Sequence, residues 1–450
     1  MHKLYKDFKK KIEFIDKFLL LLIISIPFLL ATSIFLADLF SSIAGIILIC
    51  IFFKKKKSFF KKIKTEIILM VIFYLIILTS LLFTKYFETS FLPSFFYFRY
   101  ILLSLSIYYL LKKYDFCITI FLYSLVFTML IVLLDSFIQY FYGSNLFGYD
   151  WPNRYSLHPF KIITSFFNEE KKLGSYLVRF LPLTLALIFW NNKKGGDFFA
   201  TSLILIAGSV VFFTSERTAL FLFFIILITY FFTSKKKILL VSLSILIFTF
   251  LFSTHPPLKN KFIKFTINQI QDSFTDKLNK KDKDRDISIR FYSTEHENLV
   301  YTSIKIFEKN YLIGSGVKTF YHECHNLKKN ELKELSPNKR GNKLVCSTHP
   351  HSIYFQLLSD IGIFGFILAL YVLYYVVLVY CKFFIKIFKN DKINISYYFV
   401  NLGVLISIFP LIPAGNIFNN WISLILFYIL GFWLFIKESS YLKKIVIKIK

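Results

Sequence analysis

Apolar residues run without alternation through twelve stretches of this chain, at 17–37, 39–53, 65–84, 96–112, 115–141, 173–191, 197–214, 218–233, 237–254, 351–381, 396–413 and 420–436. Most have the roughly 17–25 residues that carry a helix across about 30 Å of hydrocarbon; the stretch at 39–53 is shorter. A membrane β-barrel would instead alternate apolar and polar positions, so the pattern predicts helices. Between Thr254 and His349 the pattern changes to one long polar stretch, and a smaller interruption falls at about 142–172. The expected fold is therefore an all-α polytopic membrane protein of about 12 transmembrane helices, with one large, partly helical loop between spans 9 and 10. Residues 1–254 hold spans 1–9 and the small loop, 255–350 form the large loop, and 351–450 hold spans 10–12 and a basic tail. Within the large loop, Leu299, Ile304, Ile306 and Phe307 fall at helical spacing in Tyr292–Phe307, and Ile313-Gly314-Ser315-Gly316 predicts the turn that ends it. Asp272–Asp286 and Lys328–Asn342 are polar and predict loop.

Composition agrees with a lipid-covered surface: 56% of residues are hydrophobic and 58 are phenylalanine, more than a water-soluble globule of this length hides. The net charge of +28 sits in short connectors, at Lys54–Lys57 with Lys61, Lys62 and Lys64, at Lys112-Lys113, Lys193-Lys194, Lys235–Lys237 and Lys382–Lys392, and in the tail from Lys443. With twelve alternating spans these all fall on one side. The positive-inside rule makes that side cytoplasmic, with both termini, and puts residues 255–350 in the periplasm. No basic stripe with interleaved aromatics occurs, which excludes nucleic acid as a partner. The first span has a basic start but no small-residue cleavage site before Asp38, so it reads as an uncleaved helix. Of the five cysteines, Cys50, Cys117 and Cys381 lie at or in spans. Cys324 and Cys346 share the large loop, where an oxidising compartment allows a bridge that the sequence alone leaves open.

Several polar residues at the loop side carry candidate chemistry. Arg217 opens the eighth span after Thr214-Ser215-Glu216, where its guanidinium either presents a planar fork to phosphate or snorkels to headgroups. Arg290 sits in the large loop, as phosphate ligand or loop ion pair. Arg99 and Arg179 lie near the outer ends of their spans, to extend a cationic pocket or to anchor headgroups. Asp135 and Gln139, four apart, share one helix face, and an acid inside a span calls for a basic partner, one of these arginines. His351 stands where the tenth span begins, suited to take a proton from a hydroxyl near neutral pH, with His349 its nearest competitor. Two metal-like patterns are weaker. Asp282, Asp284 and Asp286 are interleaved with basic residues that repel a cation. The set His322, Glu323, Cys324 and His325 with Cys346 and His349 fits no tight zinc spacing. No metal or cofactor is expected.

Taken together, these pieces resemble the O-antigen ligase and polymerase superfamily of bacterial membrane glycosyltransferases. Ser215-Glu216-Arg217-Thr218-Ala219 matches its arginine motif, and His349-Pro350-His351-Ser352-Ile353-Tyr354-Phe355-Gln356 through Gly362 and Gly365 its histidine motif. Further similarity lies in Asp135–Gln139, Asn145–Gly148, Ser165–Glu170 with Gly174-Ser175-Tyr176, Arg290, and Ile313–Gly316 with Phe320. Tyr311 replaces a common proline, and Ser352 stands where asparagine is frequent. The resemblance implies that Arg217 and Arg290 grip the diphosphate of an undecaprenyl-diphosphate-linked glycan and that His351 activates the acceptor hydroxyl, inverting the anomeric carbon. Arg99, Arg179, Asp135, Gln139, Glu170 and His349 would line the substrate site. The acceptor implied is lipid A-core at the inner membrane's periplasmic face. Repeat-unit polymerisation on the same carrier and transfer onto protein hydroxyls share this donor chemistry. A transporter is the alternative of another class; it would have charged residues near mid-bilayer and broken helices in paired halves, and only Asp360 leans that way, with no matching second half.

Overall fold

The structure, a computed structural model, describes residues 12–54, 57–152, 162–191, 195–255, 259–264, 267, 294–334, 344–389 and 393–449. Among these residues, ten helices are long and apolar enough to cross a membrane, and two shorter apolar helices join them. This is a multi-pass membrane protein. The helices of the first part are α1 (Phe14–Thr32), α2 (Ile34–Lys54), α3 (Lys64–Phe83), α4 (Phe87–Phe95), α5 (Phe98–Lys113), α6 (Cys117–Tyr142), α7 (Leu173–Asn191), α8 (Gly196–Phe213), α9 (Arg217–Thr233) and α10 (Lys237–Thr254). The large loop contributes α11 (Thr294–Lys309) and α12 (Phe320–Glu334), and the chain ends with α13 (Ile353–Phe388), α14 (Ile395–Ser407) and α15 (Asn420–Ile449).

Burial sorts these helices into a centre and a rim. In α7 and the apolar part of α15, 83% and 78% of the spanning window is inside the protein, against 17% for the α10 window and for the one ending in α3. α7 packs against α14, and α15 against α5 and α14, so these four form the middle of the bundle. Rim helices are apolar all round because lipid replaces the missing neighbours. At one end, which also carries the basic connectors, carboxylates meet lysines inside the bundle: Asp16 with Lys113, Glu438 with Lys112, and Glu66 with Lys437. Charges this close to hydrocarbon are tolerated only when paired. The opposite end carries both loops and is called the loop face below.

The large loop has its own small core of Leu299, Ile306, Phe320, Leu327 and Leu344, closed by a Cys324–Cys346 disulfide. Helix α12 corrects the reading of Lys328–Asn342 as loop from its beginning: the helix continues through Lys328 to Glu334. Phe320, Cys324 and Leu327 are buried at helical spacing while Lys328 and Lys329 are exposed. The disulfide also takes both thiolates out of any zinc set with His322 and His325.

The tenth span is not one continuous helix. At Gly362 the backbone turns to φ 72°, ψ −166°, and the turn at 311–318 docks into the break. The Ile363 N–H, which would bond Ser359 in an unbroken helix, donates to Tyr311 O at 2.9 Å. Ser315 and Gly316 N–H donate to the freed Ser359 and Asp360 carbonyls, each at 2.9 Å, and Ser80 Oγ adds a bond to Asp360 O at 2.8 Å. Irregular backbone survives at this depth because protein groups satisfy it. Only glycine fits: a Cβ on Gly362 would lie 2.4 Å from Leu312 O, and one on Gly314, at φ +80°, 2.4 Å from the Asp360 carbonyl carbon. Gly362→Ala is expected to cost at least about 1–3 kcal/mol for the left-handed backbone, besides the clash. A lower unfolding temperature of the purified protein in detergent checks this; an unchanged midpoint contradicts it.

Candidate functional site

Two groups of side chains approach the connector between α14 and α15 at the loop face. The first is a cluster of three imidazoles. His349 and His351 have ring centroids 4.1 Å apart, and His296 from α11 meets His351 edge-on at 5.7 Å. His351 lies two residues before α13 with φ +53°, a left-handed conformation that an L-residue adopts only when its surroundings impose it. Here the Ala414 N–H holds its carbonyl at 2.8 Å. Burial, then the charge of His296, lowers the pKa of His351 below the ordinary imidazole value. Burial, then His351, pushes His349 down to about 4. His349 Nδ1 meets the Thr348 hydroxyl at 3.0 Å, while its buried Nε2 has no hydrogen-bond partner among the described residues. Of the two rings, His351 is the one whose proton affinity stays nearer neutrality and therefore the better base.

A turn and a half further along α13, Gln356 locks the same connector. Its Nε2 donates to Asn416 Oδ1 at 2.7 Å and to Asp360 Oδ2 at 3.2 Å, and its Oε1 accepts the Ile417 N–H at 3.1 Å. The histidines are thus anchored to the connector at Ala414 and at 416–417.

The second group surrounds Arg217. Glu216, just before α9, accepts the Gly174 and Ser175 N–H groups that begin α7, at 2.8 and 3.1 Å. A Cβ on Gly174 would fall 2.8 Å from Thr214 Oγ1, so glycine permits this close approach. Burial pushes the Glu216 carboxyl up to about 7 against the opposing pull of these N–H groups and of Arg179. Arg179 is buried beside it, donates to Ser175 O at 3.0 Å, and lies 6.0 Å from the Trp421 ring. Its Nε is a buried donor without a partner among the described residues. Arg217 itself is exposed at the start of α9, and one turn on, Phe221 packs its ring 5.7 Å from Phe409. The α14–α15 connector therefore touches α9 at one end and the histidine segment at Ala414.

The other expected residues are placed as follows. Arg290 lies outside the described residues. Arg99 is at the loop face but fully engaged: its Nε and one terminal nitrogen form a fork on Asp38 at 2.8 and 3.2 Å, and it also bonds Tyr100 and the Phe96 carbonyl. Glu170 is exposed and paired with Lys172, which lies 5.8 Å from the Trp421 ring. Asp135 and Gln139 are buried on one helix face, but among the described residues no arginine meets Asp135. It accepts instead from Leu146 N–H at 2.8 Å, Asn145 Nδ2 at 3.3 Å and the Ser165 hydroxyl, while Gln139 binds the Thr164 and Ser165 N–H groups. Both fasten the small loop to α6. Residues that reasoning on sequence passed over are Glu216, His296, Trp421, Asp38 and Asn420, whose Nδ2 donates to Asp38 at 3.0 Å and whose Oδ1 accepts from Arg99 at 3.4 Å. Glu216 stands inside the arginine motif and was within reach; the others are brought in by tertiary contacts that no local spacing announces.

Residues 202–370 match the family model described as O-antigen ligase. The matched segment begins in α8 and ends in α13, and so includes Arg217, the large loop, the histidine cluster and the break at Gly362. No curated protein matches the chain.

Proposed function

We propose that this chain is an inner-membrane glycosyltransferase that moves a glycan from undecaprenyl diphosphate onto lipid A-core at the periplasmic face. The observation that carries the reading is the shared connector: the exposed Arg217 side and the three-histidine cluster both abut it, within the family-matched segment. In the proposed reaction the acceptor hydroxyl oxygen attacks the anomeric carbon and its proton passes to His351. The bond from that carbon to the diphosphate oxygen breaks, and its electron pair leaves with the diphosphate. Arg217, joined by Arg290, meets the charge that develops there. Direct displacement inverts the anomeric carbon. The lipid carrier remains in the bilayer throughout and enters sideways between spans.

Polymerisation of repeat units on the carrier uses the same donor half-reaction, as does transfer to protein hydroxyls. Lipopolysaccharide from a deletion strain separates them. A ligase predicts loss of all long-chain capping; a single repeat unit retained on core indicates a polymerase, and unaltered lipopolysaccharide with an unglycosylated protein indicates protein transfer.

A further inference from the structure

The three imidazoles differ in what can reach them. His349 is buried, whereas His351 and His296 are each half-buried, so a solute meets the cluster at these two rings. Their centroids are 5.7 Å apart and their planes are inclined at 69°, an edge-on contact and not a stack. A neutral imidazole carries one donor and one acceptor nitrogen, so two such rings side by side can hold two hydroxyl groups.

The rings come from separate parts of the chain and are carried on one piece of structure. His296 lies in the first turn of α11, which packs against α13, the helix that His351 precedes. Further along α11, Leu299 and Ile306 enter the small core of the large loop. Thr302 ties the helix to the segment that leads to the histidines: the Val345 N–H donates to its hydroxyl oxygen at 3.3 Å, and that hydroxyl donates to Val345 O at 3.5 Å. The next residue, Cys346, is bonded to Cys324 of α12. The same small core thus governs where His296 stands and where the chain enters His349 and His351.

A saccharide presents hydroxyls on adjacent carbons, and a hydrogen bond spans only about 2.7–3.2 Å. With the attacking hydroxyl at His351, the ring beside it meets the neighbouring hydroxyl of the same sugar and no distant group. A serine or threonine side chain has a single hydroxyl and would leave His296 unused. We infer that His296 is an acceptor-binding residue: it holds the hydroxyl next to the one that His351 deprotonates, and so selects a sugar with two adjacent hydroxyls over an isolated one. The inference rests on the proposed transferase reading. No bond to carbon forms or breaks at His296, and the proton of the attacking oxygen still passes to His351.

The test follows transfer from purified undecaprenyl-diphosphate-linked glycan to lipid A-core by reconstituted wild type, His296→Ala, His296→Phe and His296→Asn, with donor and acceptor varied in turn. Loss of one neutral hydrogen bond corresponds to about 2–10-fold in binding. His296→Ala should therefore raise the acceptor KM by about that factor and leave the donor KM in place. His296→Phe keeps a ring without nitrogens and should behave like His296→Ala, while the amide of His296→Asn should recover most of the loss. Resistance of Cys324 and Cys346 to thiol alkylation shows in each variant that the loop is closed. An acceptor KM unchanged in both His296→Ala and His296→Phe overturns the inference. So does recovery in His296→Phe, which reduces the ring to packing, or a loss confined to kcat, which makes His296 a positioning residue for His351. Wild-type transfer to protein hydroxyls in place of a sugar overturns it too, with the transferase chemistry intact. Absence of any wild-type transfer fails the transferase reading, and His296 with it.

Discussion

Replacing His351 with alanine is expected to cut kcat for glycan transfer by about 10²–10⁴-fold, the range for loss of a positioned general base. The measurement is transfer from purified undecaprenyl-diphosphate-linked glycan by reconstituted protein, with membrane insertion checked separately. A base must be unprotonated to act, and burial together with His296 holds the His351 pKa below its ordinary value. Wild-type activity should therefore persist as the pH falls past the usual imidazole range and then drop through that lowered pKa. His349→Ala is the control. With its ring pushed down to about 4, His349 is a weak proton acceptor at neutral pH, and its loss should leave most of the rate. Transfer retained by His351→Ala would dismiss it as the base, and an equal loss in His349→Ala alone would move the role to that ring.

Arg217→Ala is the second large effect, expected at about 10²–10³-fold in kcat, as for removal of one donor to a developing anion. Arg217→Lys should recover only part of this, because an ammonium offers a point charge where a diphosphate calls for a planar fork. The position of Arg217 is set by its neighbour: Glu216 ties the start of α9 to the start of α7 through Gly174 and Ser175. Full activity in Arg217→Ala would remove the guanidinium from the mechanism.

The twelve apolar stretches were legible because a lipid-facing helix needs nothing from its neighbours but length and hydrophobicity. The motifs at Arg217 and His351 were legible because each is local. What failed to read was pairing at a distance. An acid at position 135 calls for a donor, yet sequence does not say that a loop ten residues on supplies a backbone N–H, an amide and a hydroxyl in place of a guanidinium. Arg99 read as a substrate ligand because Asp38, 61 residues away, gave no sign of facing it. Gly362 stood in the histidine motif, but its left-handed backbone becomes intelligible only once Leu312 is seen 2.4 Å from where a Cβ would stand. Helix α12 was a different failure: Phe320, Cys324 and Leu327 displayed the spacing, and the surrounding charge obscured it.

The clasp at Gly362 also imposes an order on biogenesis. When α13 leaves the ribosome, its Ser359 and Asp360 carbonyls face a break whose donors, Ser315 and Gly316, belong to a segment synthesised earlier. That segment must have closed its turn before α13 can settle against it. The nine preceding spans thus wait as an unfinished shell until the turn and the break can clasp each other.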